Sequence, residues 1–182
     1  MSMVLVIGPA RSGKSEWAEH LVTTSPQPVF YLATAQADPE DAEWQARIER
    51  HRQRRPASWQ TLTVPQHLTQ SLGQIPPPAW VLVDSLGTWV ANFLEIAEAD
   101  WLEIQQEFLD ALTTTPLALV LVAEEVGWGV VPAYPLGRCF RDRLGDLTRR
   151  LGAIADTVYL VTGGHALNLS QRGERLPSSL KY

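Results

Sequence analysis

Five short apolar runs rich in Val, Leu and Ile recur along the chain, separated by segments with helical patterning. They cover Met3–Ile7, Pro28–Thr34, Trp80–Asp84, Leu117–Ala123 and Thr157–Thr162. The runs lack polar alternation, which is typical of strands covered on both faces. Strands that alternate with helices predict an α/β fold with a mostly parallel central sheet. Its ligand sites are expected at the carboxyl ends of the strands.

The length and the breaker residues predict a single domain. A chain of 182 residues is long enough for one substantial core. We expect residues 1–170 to form this domain and 171–182, which are polar with little periodicity, to be a flexible C-terminal tail. The charged stretch 38–55 predicts a helix that Pro56 ends, because proline lacks the N–H that a helix needs.

Composition and charge narrow the class of partner. The apolar share of 45% and the charged share of 19% are those of an ordinary globular protein, and no apolar run approaches the length of a membrane span. A net charge of −5 argues against nucleic acid as a partner, while a local cationic pocket can still bind a nucleotide. Cys139 is the single cysteine, which excludes an intramolecular disulfide and favours a reducing cytoplasm.

A glycine-rich octet follows the first apolar run and precedes a helical pattern. It matches the spacing G-x-x-x-x-G-K-[ST] in the strand-to-helix context that the motif requires. Glycines let backbone N–H groups converge on an anion, and the following helix presents its positive end to the same point. The motif predicts a phosphate-binding loop, or P-loop, formed by Gly8, Pro9, Ala10, Arg11, Ser12, Gly13, Lys14 and Ser15. We expect Lys14 to act catalytically on the terminal phosphates of a nucleoside triphosphate and Ser15 to ligate Mg²⁺.

Carboxylates end two of the apolar runs. A P-loop needs an acid near Mg²⁺ at the end of a neighbouring strand, and Asp84 is the candidate, with capping of the next helix as the alternative. Glu124 and Glu125 end the run that begins at Leu117, beside a glycine-containing loop. Such a pair can position a substrate hydroxyl or a metal-bound water, and Glu125 is our candidate for substrate binding or acid–base chemistry.

A histidine lies among arginines in the predicted helix 38–55. Residues four apart share a helix face, so Arg47 and Arg55 should lie on the face of His51. Neighbouring cations favour the neutral imidazole, which can act as a nucleophile, while guanidinium groups neutralise phosphate oxygens. The alternative is a solvated basic helix face with an incidental histidine. Arg47 is a further candidate for contact with substrate.

The ordered set of motifs resembles the bifunctional adenosylcobinamide kinase/adenosylcobinamide-phosphate guanylyltransferase family of cobalamin assembly, over most of the chain. A generic P-loop protein shares only the octet. The other segments that carry the resemblance are Tyr31–Ala35, Arg47–Arg52, Arg55–Trp59, Val83–Asn92, Glu125–Pro132 and Arg138–Asp142.

The resemblance implies two reactions. The first is phosphorylation of the adenosylcobinamide hydroxyl by ATP or GTP, and the second is transfer of GMP from GTP to that phosphate through a guanylylated histidine. His51 is the histidine that falls in the matching motif. The resemblance also implies a RecA-like P-loop fold and a homotrimer. The nucleotide contacts that it implies come from the octet and from Ala33, Thr34, Ala35, Arg52, Gln53, Arg54, Arg55 and Asp84.

Four positions depart from the family's pattern. Thr63 stands in place of a glutamate and Gly87 in place of a bulkier residue, which bears on the guanosine or ribose contacts. Glu124 stands in place of an asparagine and Trp128 in place of a smaller apolar residue, which bears on corrinoid contacts or kinase chemistry. Two alternatives stay open from the sequence: a small-molecule kinase of another P-loop family, and a nucleotide-binding regulatory module without transfer chemistry.

Overall fold

A seven-stranded sheet forms the centre of the molecule in the computed structural model, which describes residues 2–36, 41, 46, 49 and 52–177. Its strands run in the order β3-β2-β4-β5-β1-β6-β7. All neighbours are parallel except β6 and β7, which are antiparallel. The α/β prediction with a mostly parallel sheet is therefore confirmed. The strands are β1 Met3–Gly8, β2 Val29–Ala33, β3 Gln60–Thr63, β4 Trp80–Asp84, β5 Ala118–Glu124, β6 Thr157–Thr162 and β7 His165–Asn168.

Helices cover both faces of the sheet. They are α1 Lys14–Thr23, α2 Leu68–Gln74, α3 Leu86–Ala91, α4 Glu98–Thr114, α5 Pro135–Ile154 and α6 Leu169–Arg172. Alternate residues of a strand point to opposite faces, so Leu5 of β1 packs with the cluster that includes α3, α4 and α5, whereas Val6 packs with α1. This double coverage explains why the central strands read as continuous apolar runs. No helix in the described part of the chain is long and apolar enough to cross a membrane.

Two strands lack the apolar signature that predicted the others. All four residues of β3 are exposed, and β7 alternates exposed and half-buried positions. Both strands lie at the edges of the sheet, where little apolar burial is required. Their sequences, Gln-Thr-Leu-Thr and His-Ala-Leu-Asn, therefore carry no run that hydrophobic periodicity could detect.

The C-terminal segment is attached to the domain beyond the expected boundary at residue 171. Helix α6 runs across that position. The guanidinium of Arg175 donates to the carbonyl oxygens of Ala153 at 3.1 Å and Ala155 at 2.6 Å, at the end of α5. Residues 178–182 of the expected tail lie outside the described residues.

Candidate active site

Parallel strands end together at one edge of the sheet, which brings several of the predicted site residues together. Ala33 pairs with Thr63 on one side and with Asp84 on the other. On β5, Glu124 pairs with Gly8, the first residue of the phosphate loop. The chain therefore carries its loop glycine and two of its strand-end acids along a single edge.

The phosphate loop is shaped by its backbone. Arg11 and Gly13 have positive φ values of 57° and 92°, so the chain curls before α1 begins at Lys14. The N–H of Ser12 donates to the carbonyl oxygen of Pro9 at 3.3 Å. A Cβ on Gly8 would overlap with the carbonyl oxygen of Val161, because the loop leaves β1 directly against β6. This curled geometry is the one that directs backbone N–H groups toward an anion.

Two side chains of the loop are buried at the start of α1. Lys14 is 6% exposed and its Nζ donates to the carbonyl oxygen of Pro9 at 3.4 Å. Ser15 is 8% exposed. The hydroxyl of Ser12 is buried and makes no hydrogen bond with the described part of the protein. Because buried polar groups normally have partners, this geometry suits a loop that binds phosphate oxygens.

Asp84 lies at the end of β4, and Ser85 rather than Asp84 caps the next helix. The hydroxyl of Ser85 accepts from the N–H of Thr88, and Thr88 completes the reciprocal capping box. One carboxylate oxygen of Asp84, Oδ2, accepts a hydrogen bond from the hydroxyl of Tyr31 at 2.9 Å. Since the capping role belongs to Ser85, the carboxylate of Asp84 remains suitable for metal chemistry.

The donor set at this edge fits a magnesium ion. Helix α1, which begins with Lys14 and Ser15, packs against β4. Mg²⁺ prefers oxygen ligands and is usually held by one or two protein groups together with phosphates and waters. A hydroxyl and a carboxylate match this requirement. The described residues contain no cluster of three or more His, Cys, Asp or Glu side chains that could hold a metal without such help.

Tyr31 joins β2 to Asp84, a contact that the sequence did not predict. Burial, followed by the nearby negative charge of Asp84, raises the pKa of Tyr31 well above its ordinary value. The guanidinium of Arg55 lies over the Tyr31 ring at 3.8 Å from its centroid and donates to the hydroxyl of Thr61 at 3.2 Å. Arg55 is therefore anchored to β2 and β3, close to the strand ends.

The three residues 33–35, at the end of β2 and just after it, comprise one buried position, Thr34, and two accessible positions. Thr34 is 0% exposed, and its hydroxyl donates to the carbonyl oxygen of Ser85 at 2.6 Å. The side-chain amide of Asn92 donates to the carbonyl oxygen of Thr34 at 2.9 Å. Ala33 and Ala35 are partly exposed. The Thr34 side chain thus ties β2 to α3, while the two alanines border the site.

The structure describes only part of the arginine-rich segment. His51, Arg47 and Arg50 lie outside the described residues. Residues 52–54 are helical, as are residues 46 and 49. Near this end the side chain of Gln53 donates to Glu49 at 3.0 Å, and Arg52 lies 3.7 Å from the same carboxylate.

Arg54 connects this segment to the helix of the phosphate loop. Its guanidinium donates to the carboxylate of Glu16 and, at 3.4 Å, to that of Glu19. Burial raises the pKa of Glu19, and the positive charge of Arg54 opposes that shift. Arg54 therefore pairs with acids of α1, a contact that helical spacing within 38–55 does not reveal.

The structure distinguishes the two adjacent glutamates at the end of β5. Glu124 accepts from the hydroxyl of Ser85 at 2.7 Å and from the N–H of Gly87 at 3.0 Å. Glu125 accepts from the N–H of Gly127 at 2.8 Å, within its own turn, and its backbone N–H donates to the carbonyl oxygen of Gly8. The sequence treated them as a pair, with Glu125 as the candidate. Glu124 is the one that reaches the Ser85–Gly87 segment beside Asp84.

Between Gly127 and the start of α5 at Pro135, the chain exposes several large apolar side chains. Trp128, Val130, Val131 and Tyr134 are all exposed before α5 begins at Pro135. The departure at Trp128 thus lies on the surface, whereas the departures at Gly87 and Glu124 lie at the strand edge in contact with each other.

Comparison with solved structures gives likenesses of fold at low sequence identity. The chain superposes on a protein of Pyrococcus horikoshii OT3 with a TM-score of 0.58 and 9% identity, covering 100% of this chain and 94% of that one. An ATPase from the type III secretion system of pathogenic bacteria gives a TM-score of 0.56 and 10% identity, covering 94% and 53%. These likenesses support the α/β fold.

Comparison of the sequence identifies the family. The chain is 40% identical over 177 residues to the bifunctional adenosylcobalamin biosynthesis protein CobU of Escherichia coli (strain K12), covering 89% of this chain and 96% of the relative. It is 38% identical over 174 residues to the bifunctional adenosylcobalamin biosynthesis protein CobP of Pseudomonas aeruginosa, covering 94% and 98%. A family model described as cobinamide kinase / cobinamide phosphate guanyltransferase matches residues 4–169. The chain therefore belongs to the cobinamide kinase / cobinamide phosphate guanyltransferase family.

Proposed function

We propose that this protein carries out two successive transfers with the residues of one sheet edge. It phosphorylates adenosylcobinamide with ATP or GTP and then transfers GMP from GTP to adenosylcobinamide phosphate, which yields adenosylcobinamide-GDP. The observation that carries this proposal is the curled loop Gly8–Ser15, with Lys14 and Ser15 buried beside the strand that ends at Asp84. Family membership supplies the acceptor and argues against a kinase of another P-loop family.

In the phosphoryl transfer, the loop binds the triphosphate through its backbone N–H groups. The acceptor hydroxyl oxygen forms a bond to the gamma phosphorus, and the bond from that phosphorus to the bridging oxygen breaks, so that ADP or GDP leaves. Lys14 stabilises the charge on the transferred group and on the leaving oxygen. Ala33, Ala35 and the loop residues line the nucleotide, and Thr34 contributes by holding this segment against Ser85.

Ser15 and Asp84 are the residues that would hold Mg²⁺. The ion supplies charge neutralisation and alignment of the phosphates when it is bound. Tyr31 serves this arrangement by donating to Oδ2 of Asp84, which fixes the orientation of the carboxylate. Asp84 would hold the ion through this carboxylate.

In the guanylyl transfer, His51 is the proposed nucleophile. A neutral imidazole nitrogen forms a bond to the alpha phosphorus of GTP, and pyrophosphate leaves. A phosphate oxygen of adenosylcobinamide phosphate then attacks the same phosphorus and releases the histidine. Arg47 is proposed to neutralise phosphate charge. Support for a site beside the loop comes from Arg54, three residues after His51, which is bound to Glu16 and Glu19 of α1.

The remaining nucleotide contacts are assigned to the described end of the arginine segment. Gln53 donates to the exposed carboxylate of Glu49 at 3.0 Å and Arg52 lies 3.7 Å from it, so both side chains lie on the surface where a ligand can reach them. Arg54 and Arg55 act by holding the segment to α1 and β2. We also infer that residues 1–170 form one domain. From the family resemblance we infer that the protein is a homotrimer, and we expect it in the cytoplasm.

The experiment that tests the proposed function is an intact-mass measurement after incubation with GTP and Mg²⁺. We expect wild type to gain one GMP, through a bond that acid cleaves and base does not. The variants His20→Ala, His67→Ala and His165→Ala should gain the same mass, and His51→Ala should gain none. A His51→Ala variant that is labelled as fully as wild type would contradict the nucleophile assignment. If adenosylcobinamide is not converted to any product, the protein is instead a regulatory nucleotide-binding module.

A further inference from the structure

The carboxylate of Glu124 occupies the space that a side chain at position 87 would fill. A Cβ on Gly87 would overlap with Oε2 of Glu124 and lie 2.8 Å from its Cδ. The φ of Gly87 is not in the left-handed region, so the backbone itself does not demand glycine. The lack of a side chain at position 87 therefore leaves room for the carboxylate of Glu124, which is 37 residues away in the sequence.

The carboxylate is held from two sides. The hydroxyl of Ser85 donates to Oε1 at 2.7 Å, and the N–H of Gly87 donates to Oε2 at 3.0 Å. Ser85 is itself 5% exposed and fixed by its capping contacts with Thr88. An ionised carboxylate accepts about four hydrogen bonds, so these two contacts fix Glu124 and leave acceptor capacity on both oxygens.

The register of the sheet places this carboxylate between the two halves of the phosphoryl-transfer site. Strand β5 lies between β1 and β4, and Glu124 pairs with Gly8 at the start of the phosphate loop. Asp84, on the other neighbour, pairs with Val122 of the same strand. Glu124 is half-buried at the carboxyl end of β5, so it lies at the strand edge between the phosphate loop and the strand that ends at Asp84. Glu125 is instead engaged in the turn with Gly127.

We propose that Glu124 is the general base of the phosphoryl transfer and that Gly87 is the residue that positions it. This inference rests on the proposed kinase reaction. As the acceptor oxygen bonds to the gamma phosphorus and the nucleoside diphosphate leaves, the proton of the acceptor hydroxyl moves to a carboxylate oxygen of Glu124 and then to solvent. The competing explanation is purely structural, in which Glu124 only caps the short helix α3 through the N–H of Gly87.

The variant Glu124→Gln separates these explanations. Glutamine keeps the length of the side chain, can accept from Gly87 through its carbonyl and can pair with Ser85 through its amide, but it cannot accept the proton. We expect kcat of the kinase reaction to fall about 100-fold, the size of a general-base contribution, with KM for the nucleotide within about twofold. Attachment of GMP in the intact-mass assay should persist. The matched control is Glu107→Gln, an exposed glutamate on α4, which should behave as wild type.

A double-mutant cycle tests the positioning by Gly87. In wild type, Gly87→Ala should displace the carboxylate and lower kcat to a similar extent, whereas in a Glu124→Ala background the same change should have little further effect, because the atom it displaces is gone. Gly73→Ala is the matched control, since a Cβ there meets open space. Independent, additive losses would overturn the positioning role.

The outcomes distinguish this inference from the proposed function. Wild type without kinase activity would reject the proposed function itself. Wild type that is active, together with Glu124→Gln at near-normal kcat, would overturn only the general base and leave Glu124 as a cap of α3. If Gly87→Ala fails to fold, the result for Glu124→Gln still decides the catalytic claim.

Discussion

The phosphate loop and the arginine segment 52–55 lie against the same helix, α1, but are built in opposite ways. The loop is made by contiguous residues whose backbone carries the geometry, with positive φ at Arg11 and Gly13. The arginine segment depends on side chains that reach distant positions, with Arg54 on Glu16 and Glu19 and Arg55 on Tyr31.

This difference predicts how each region responds to change. Anion binding by backbone N–H groups should depend little on pH, but the loop has no room for a Cβ at Gly8. A segment held by ion pairs and a cation–π contact depends on the charge of its partners. We therefore expect the phosphate loop to lose function when its backbone shape changes or when Lys14 is removed. The contacts of the arginine segment should instead depend on pH.

The largest effect is expected from Lys14→Ala. Removing a charge that stabilises the transferred phosphoryl group should lower the phosphoryl-transfer rate by about 10²–10³. The side chain lies beside the loop rather than in either core cluster, so the variant should stay folded. Single-turnover kinetics and circular dichroism measure the two properties. Near-normal turnover by a folded variant would reject the P-loop assignment.

Gly8→Ala should damage the shape of the loop. The added Cβ would overlap with the carbonyl oxygen of Val161, a backbone atom that moves only with β6, and would lie 2.6 Å from Oγ of Ser12. Overpacking of this kind costs about 1–3 kcal/mol of unfolding free energy. Chemical denaturation and nucleotide titration should both show losses. Unchanged nucleotide affinity would contradict the tight contact between the loop and β6.

Asp84→Asn should weaken nucleotide binding about tenfold in the presence of Mg²⁺ and much less in its absence, because the metal needs the negative charge most. Asparagine can still accept from the hydroxyl of Tyr31. Titrations with and without Mg²⁺ measure the difference. Equal losses in both conditions would assign Asp84 a structural role through Tyr31 rather than a metal role.

The smallest effect is expected from Glu19→Gln, which tests the arginine segment. Burial raises the pKa of Glu19, so the folded state binds its proton more tightly than the unfolded state. The stability linked to this group is present below the unfolded pKa and is lost as the pH rises through the folded pKa. The variant lacks this loss, so its unfolding free energy should improve relative to wild type as the pH rises above the ordinary pKa of a glutamate side chain. A difference that stays constant with pH would contradict the raised pKa.

The parts of the molecule that are formed by contiguous residues could be predicted from the sequence. The octet gave the loop before α1, and the continuous apolar runs gave the five inner strands, because burial on both faces leaves a direct mark on composition. Strands β3 and β7 were missed since edge strands with exposed side chains carry no such mark.

The parts that went unpredicted depend on contacts between distant residues. The family resemblance implies that Thr34 contacts the nucleotide, but its side chain is buried. Its hydroxyl donates a hydrogen bond to the carbonyl oxygen of Ser85, 51 positions away. Gly87 and Glu124 appear in the sequence as two separate departures, and only the fold shows that the carboxylate of one fills the space left by the other. Tyr31 belongs to a segment that carries the family resemblance, but its contact with Asp84, 53 positions away, was not predicted.

Product analysis of His51→Ala tests the central claim, that two transfers by different residues follow each other on one chain. The variant and wild type are incubated with adenosylcobinamide, ATP, GTP and Mg²⁺, and the corrinoid products are identified by mass spectrometry. Wild type should form adenosylcobinamide-GDP, and His51→Ala should stop at adenosylcobinamide phosphate, because Lys14 and Ser15 act on the gamma phosphate without the histidine. Formation of adenosylcobinamide-GDP by His51→Ala at the wild-type rate would contradict the account.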